Sequence, residues 1–148
     1  MRVGADASSL LMVDSSVWIA YFNGNDTPEA QLLDEALTHR RIGIGDLILA
    51  EVLQGFSDSR EYEQAKAELV RFEIIEMGGQ DNVLAAVDCY RWLRRRGVTV
   101  RGLIDCLIAA SAIRGGHTLL HNDRDFDQFE KHLGLRVMHP QSEQGVGP

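Results

Sequence analysis

Lysine is almost missing from this chain: among its 15 basic residues only Lys66 and Lys131 are lysine, and the rest are arginine. Positive charge as a whole is in deficit, with a formal net charge of -7 at pH 7. Taken alone, that deficit argues against a nucleic-acid partner, because phosphate binding draws its affinity from clustered Lys and Arg. Two considerations reverse the argument. Arginine is the side chain suited to bidentate phosphate contacts. Acidity gathered at one place and neutralised by a cation also makes net charge a poor guide to what a polyanion meets.

Long apolar runs are absent too. No stretch approaches the roughly 18 uninterrupted apolar residues of a membrane span. Asp14 interrupts the one early apolar run, so the N-terminus lacks the layout of a signal peptide. The expectation is a cytoplasmic protein with no membrane association. Cysteine is scarce: Cys89 and Cys106 sit in apolar helical patterns rather than in C-x-x-C spacing, which argues against a metal knuckle or disulfide framework and leaves two reduced, packed thiols. What remains is an ordinary composition, 148 residues with 45% hydrophobic and 25% charged side chains, enough for one core.

Punctuation along the chain predicts alternating elements. Residues 10–14 read as a buried strand and 41–45 as a second. Thr27 and Pro28 open a helix to about Arg40, and Asp46 reads as the N-cap of a helix stopped near Gly55. A charged helix covers 59–71, a strand 72–77, and a helix 81–96 ends at Gly97. An apolar helix follows over 102–116, then a strand at 117–121, a short helix from Asn122, and a last strand at 135–139. Such alternation implies an α/β fold with an open parallel sheet and helices on both faces, whose ligands bind beyond the carboxyl ends of the strands.

Acids occupy those places. Asp14 ends the first strand and Asp123 falls just past LLH, residues 119–121. Asp105 stands in a helix apolar almost all round, its one basic residue three or four positions away being Arg101, just before that helix begins, and Glu51 lies among Leu47, Ile48, Leu49, Val52 and Leu53 with no Lys or Arg at that spacing. An unpaired buried carboxylate is disfavoured by several kcal/mol, and close carboxylates do not all stay ionised without a compensating charge. A divalent cation resolves both problems. Carboxylate-only ligation favours a hard ion, Mg²⁺ or Mn²⁺, which polarises a phosphoryl oxygen and acidifies an attached water for phosphodiester hydrolysis. Each acid also has a plainer explanation: Asp14, Asp123 or Asp125 as a turn former or helix cap, Asp105 as an acid bonded to backbone amides or a distant Arg, Glu51 as a helical acid reaching outward.

In this order and spacing, VDSSVWIA, LAEVLQG, LIDCLIAASA and LLHNDRDF resemble the four motifs of PIN-domain ribonucleases, most closely the VapC toxins of bacterial and archaeal toxin–antitoxin pairs. The resemblance spans residues 11–139. It implies a three-layer α/β/α fold with a parallel sheet of four to five strands, Mg²⁺- or Mn²⁺-dependent endoribonuclease activity, a homodimer, and inhibition by a cognate antitoxin. Asp14, Glu51, Asp105 and Asp123 match the family's four acids, which are both catalytic and metal-binding. Asp125 matches the further acid of the D-x-D-F ending, and Ser16 the small hydroxyl residue that supports the first acid. Residues 10–140 are then the nuclease domain, 1–9 an extension that many relatives lack, and 141–148 a tail expected to be disordered.

Arg94, Arg95, Arg96 and Arg101, with Arg124 beside Asp123, are candidate RNA contacts, although positive charge at a helix C-terminus is favourable without any ligand. Trp18 and Trp92 read as core or dimer contacts, and His121 as a packed strand-end residue. The competing function is a catalytically silent PIN-like module that only binds a partner, against which four intact acids count. A receiver-like phosphoacceptor domain wants an Asp at the end of a middle strand, yet FEIIEM (72–77) ends without one.

Overall fold

The computed structural model describes residues 9–141, so the expected extension and tail lie, but for Ser9 and Gln141, outside the described residues. Five strands and seven α-helices are present among them: β1 (Leu11–Val13), α1 (Ser15–Phe22), α2 (Pro28–Ala36), β2 (Ile42–Gly45), α3 (Asp46–Gln54), α4 (Ser59–Leu69), β3 (Glu73–Ile75), α5 (Gln80–Arg95), α6 (Leu103–Gly115), β4 (Thr118–Leu120), α7 (Asp127–Leu133) and β5 (Arg136–Val137), with a 3-10 turn (Arg124–Phe126) before α7. The strands form one sheet in the order β3-β2-β1-β4-β5, every pair parallel. None of the helices is long and apolar enough to cross a membrane.

Parallel neighbours need crossover helices on the sheet faces, and right-handed crossovers put them on opposite faces when the direction across the sheet reverses. Steps from β1 to β2 to β3 run one way, and those from β3 to β4 to β5 run back. Accordingly α1 packs on α2 and α3, and α3 on α4, while α5 packs along α6. The result is the three-layer α/β/α architecture that the alternation of elements predicts. Leu11, Met12 and Val13 are 0% exposed at its centre, as expected of a strand covered on both faces. Trp18 joins this core beside Phe22 and Phe72.

Local chemistry sets the boundaries. Thr27 Oγ1 accepts from the Ala30 amide at 3.1 Å and Pro28 fills the first turn of α2. Gly97, at φ 77°, ends α5 in the left-handed region that favours glycine. One expectation changes: Gly45, not Asp46, is the N-cap of α3. The Asp46 carboxylate instead accepts from the amides of Leu47 at 2.8 Å and Met77 at 3.1 Å, tying α3 to the exit of β3. The thiols of Cys89 and Cys106 are free, and burial pushes Cys106 up to about 11, which keeps it protonated and inert.

Asn82 is the polar pin of the α5–α6 layer. It is 2% exposed, and its Nδ2 donates to the carbonyls of Met77 at 2.9 Å and Leu107 at 3.0 Å. Asn82→Ala is expected to lower unfolding stability by about 2 kcal/mol, two buried hydrogen bonds at roughly 1 kcal/mol each. Urea denaturation checks this, and a change below about 0.5 kcal/mol would mean the pin contributes nothing net.

Candidate functional site

The strand order reverses between β1 and β4, so the crevice at the carboxyl ends of these two strands is where a ligand has room. Asp14 leaves β1 there, its amide donating to the Leu120 carbonyl at 2.9 Å, and it is 5% exposed. Its carboxylate caps α1, accepting from the Ser16 hydroxyl at 2.7 Å and the Ser16 amide at 3.2 Å. The cap explanation and the site explanation for Asp14 therefore do not compete, because one carboxylate has oxygen lone pairs for both. Ser16 Oγ also accepts from the Asn122 amide at 3.2 Å, so a single hydroxyl joins the end of β1 to the loop after β4.

That loop carries the next acids. Asp123 caps the 3-10 turn, accepting from the Asp125 amide at 2.9 Å. Asp125 therefore does not act as the cap of the following helix, and its side chain is left to face Asp105. Helix α6 leads straight into β4 and so runs back against the strands, which puts its first turn, with Asp105, at the same sheet edge. Oxygens of Asp105, Asp123 and Asp125 lie within 4.8 Å of one another, and all three residues are half-buried. Among the described residues this is the group of acids, cysteines and histidines close enough to share a cation.

Glu51 and Asp14 stand outside that 4.8 Å cluster. Glu51, on α3, hydrogen bonds to the Ser15 side chain and feels the Asp14 charge, which ties it to the opening turn of α1 beside Asp14. Ser15 is a contact that reading the sequence missed. Its position one residue after Asp14, on the opening turn of α1, was the available signal.

The electrostatics of this edge favour a bound cation. Burial first, then the negative charges of Asp123, Asp14 and Asp125, push Asp105 up to about 7, and a hydrogen bond to Asp125 helps hold the proton. Burial raises Asp14 against the opposing hydrogen bonds from Ser16, and burial likewise raises Glu51. Carboxylates crowded into partly dry surroundings lose their charge unless a positive ion is supplied. This donor set, oxygen only and close-spaced, fits a hard divalent ion.

Basic and aromatic candidates separate. Arg101 Nε lies 3.5 Å from Asp125 Oδ2. Arg124 is exposed next to Asp123, and Arg94, Arg95 and Arg96 are exposed at the end of α5. His121 packs on Phe126 with ring centroids 4.9 Å apart. Its Nδ1 accepts from the Asp123 amide at 3.1 Å, and burial lowers its pKa. It is a neutral, packed side chain that braces the Asp123 loop.

The sequence matches the PIN domain model over residues 11–132. It is 32% identical over 130 residues to the VapC ribonuclease Mb1587 of Mycobacterium bovis and to ribonuclease VapC11 of Mycobacterium tuberculosis, covering 86% of this chain and 97% of each relative. In structure it is similar to VapBC2 from Rickettsia felis bound to a DNA fragment from their promoter, with a TM-score of 0.69, 20% identity, and coverage of 87% of this chain and 97% of that one. It is also similar to Mycobacterium tuberculosis VapC20, described as a Sarcin-Ricin loop cleaving toxin, with a TM-score of 0.61, 18% identity, and coverage of 80% and 93%. With the family model matched across the sheet and its acid-bearing loops, the chain belongs to the PIN-domain family and, within it, to the VapC ribonucleases.

Proposed function

We propose that this chain is a Mg²⁺- or Mn²⁺-dependent endoribonuclease, the growth-inhibiting toxin of a toxin–antitoxin pair, neutralised by a cognate antitoxin and working as a homodimer. The observation that carries the reading is the meeting of Asp105, Asp123 and Asp125 within 4.8 Å at the sheet's switch point. Asp14, whose charge acts on Asp105 and which itself feels Asp123, is the fourth acid of the site. Glu51, bonded to Ser15 and within reach of the Asp14 charge, is a further acid of the same centre.

Asp105, Asp123, Asp125 and Asp14 would hold the ion, and Ser16 orients the Asp14 carboxylate. When bound there, such an ion supplies phosphoryl polarisation and an activated water. Arg101, beside the cluster, is placed to take a phosphate oxygen once Asp125 turns to the ion, because a guanidinium with one partner withdrawn has donors to spare. The relatives' descriptions as ribonucleases support RNA as the substrate. A structural neighbour described as a toxin–antitoxin complex from Klebsiella pneumoniae supports an antitoxin partner.

The test is cleavage of structured RNAs by the chain freed of any bound partner, in Mg²⁺ or Mn²⁺ and in chelator. Cutting that appears with either ion and stops in chelator is the expected result. Metal-independent cutting would remove the mechanism, and no cutting under any of these conditions would leave the silent partner-binding module as the reading.

A further inference from the structure

Trp92 does not behave as a buried contact. It is half-buried on α5, with the Arg96 guanidinium carbon 3.4 Å from its ring centroid and the ring of His132, from the last turn of α7, 5.9 Å away at 48°. Two residues to either side of Trp92, on another face of α5, Arg94 lies over Tyr90 and donates to its hydroxyl at 2.8 Å. Arg96 and His132 are exposed at the indole, and Arg91, Arg95 and Lys131, next to them along α5 and α7, are exposed as well. We propose that this ledge is a binding surface for single-stranded RNA next to the cleavage centre, with bases stacking on the Trp92–Arg96 pair and phosphates taken by the surrounding basic side chains. The proposal rests on the endoribonuclease reading and names where that substrate lies beyond the cut bond.

Three observations carry it. The ledge and the acid cluster are the two ends of the same segments. Helix α7 starts straight after the turn that holds Asp125, and its seven residues span about 10 Å. The loop from Arg96 reaches Arg101, which sits on Asp125, within five residues, at most about 18 Å. A second observation is charge: a chain of net charge -7 must offer a polyanion a local positive path to an acidic centre, and here two helix ends supply one. The third is the indole itself. The helix dipole accounts for basic residues at each helix end, but it does not call for a half-exposed tryptophan where the two ends meet. Unpaired bases stack on aromatic rings and on arginine planes without regard to sequence, so the pair suits a single strand.

A second copy of the chain is a poorer occupant. A two-fold contact sets a patch against itself, and this patch would then oppose arginine to arginine. Leu84 at 55% exposed and Leu103 at 48% offer apolar surface for self-contact elsewhere on α5 and α6.

The test uses the whole chain in chelator at low salt with a short mixed-sequence single-stranded oligoribonucleotide, so that RNA binds without being cut. Trp18 is 1% exposed, so quenching of tryptophan emission reports Trp92. Expected are quenching by the oligonucleotide, about tenfold weaker binding for Trp92→Ala, and retained binding for Trp92→Phe, which keeps a stacking ring. Arg96→Gln should flatten the dependence of log affinity on log salt by roughly 0.7. In the cleavage assay Trp92→Ala should raise KM and leave kcat unchanged. RNA that binds with no quenching, or equal affinity in wild type and Trp92→Ala, would overturn the proposal while metal-dependent cutting still stood. Emission that changes with protein concentration before RNA is added would assign the ledge to a second copy. Quenching without cutting in any metal would instead sink the endoribonuclease reading and keep the ledge.

Discussion

Asp105→Asn should reduce RNA cleavage in Mg²⁺ or Mn²⁺ by at least about 100-fold, since groups that merely orient metal ligands are worth 10- to 100-fold and a direct ligand is worth no less. The same substitution should make the metal-free protein more stable at pH 8. Asp105 faces the charges of Asp123, Asp14 and Asp125 from a half-buried position, so a neutral amide of the same shape relieves repulsion that only a cation otherwise relieves. Thermal unfolding in chelator should therefore give a higher Tm for Asp105→Asn than for wild type at pH 8. The difference should shrink as pH falls through about 7 and vanish only below about pH 4, where Asp105 carries a proton in the folded and the unfolded chain alike. Asp34→Asn, at an exposed acid on α2, is the control for both measurements. Cleavage within about threefold of wild type would take Asp105 out of the site, and a lower Tm would mean its carboxylate is satisfied by something other than a bound ion.

The second large effect is the pH dependence of ion binding. In the folded, metal-free protein Asp105 is pushed up to about 7 from an ordinary 3.8. Between those values the native state keeps a proton that the unfolded chain has released. The group's contribution to metal-free stability is thus present below about pH 4 and is lost as pH rises through about 7. Ion binding runs the other way, because a ligand carboxylate must be ionised. Mn²⁺ affinity is expected to fall about tenfold from pH 8 to pH 6, the ratio for one competing proton with a pKa near 7. The upward shift of Asp14 by burial steepens the fall. Titration by electron paramagnetic resonance of free Mn²⁺ checks the affinity, and calorimetry in buffers of different ionisation enthalpy counts the released proton. An affinity that does not change across this range would remove Asp105 from the ligand set.

Much of the site is legible in the chain because strand ends and helix starts are local events. The run Leu10 to Val13 followed by Asp14 places an acid at a strand's carboxyl end, and the run through Leu120 places Asp123 likewise. Glu51 has no Lys or Arg three or four residues away and Asp105 only Arg101, which lies before its apolar helix, so both read as acids in need of a further partner. Other roles were not legible. Asp46 looks like a helix cap, but its carboxylate accepts from Met77, 31 residues away, and that preference depends on where β3 ends. Asp125 looks like a cap as well, yet Asp123 does that work and frees Asp125 to meet Asp105. Trp92 sits in an apolar helical stripe, and only the packing of α7 against the end of α5 shows that its ring remains half-open under Arg96.

By itself the sequence determined the order of strands and helices, the parallel α/β class and the four acids at or near strand ends. These follow from apolar periodicity, caps and glycine stops, which act between residues a few positions apart. The tertiary structure alone decided which acids meet: Asp105, Asp123 and Asp125 within 4.8 Å, with the Asp14 charge felt by both Asp105 and Glu51, and Glu51 bonded to Ser15. Those distances depend on the strand order and on the rotational phase of α3 and α6 against the sheet. Both are settled by how the core packs, and residue spacing along the chain carries neither.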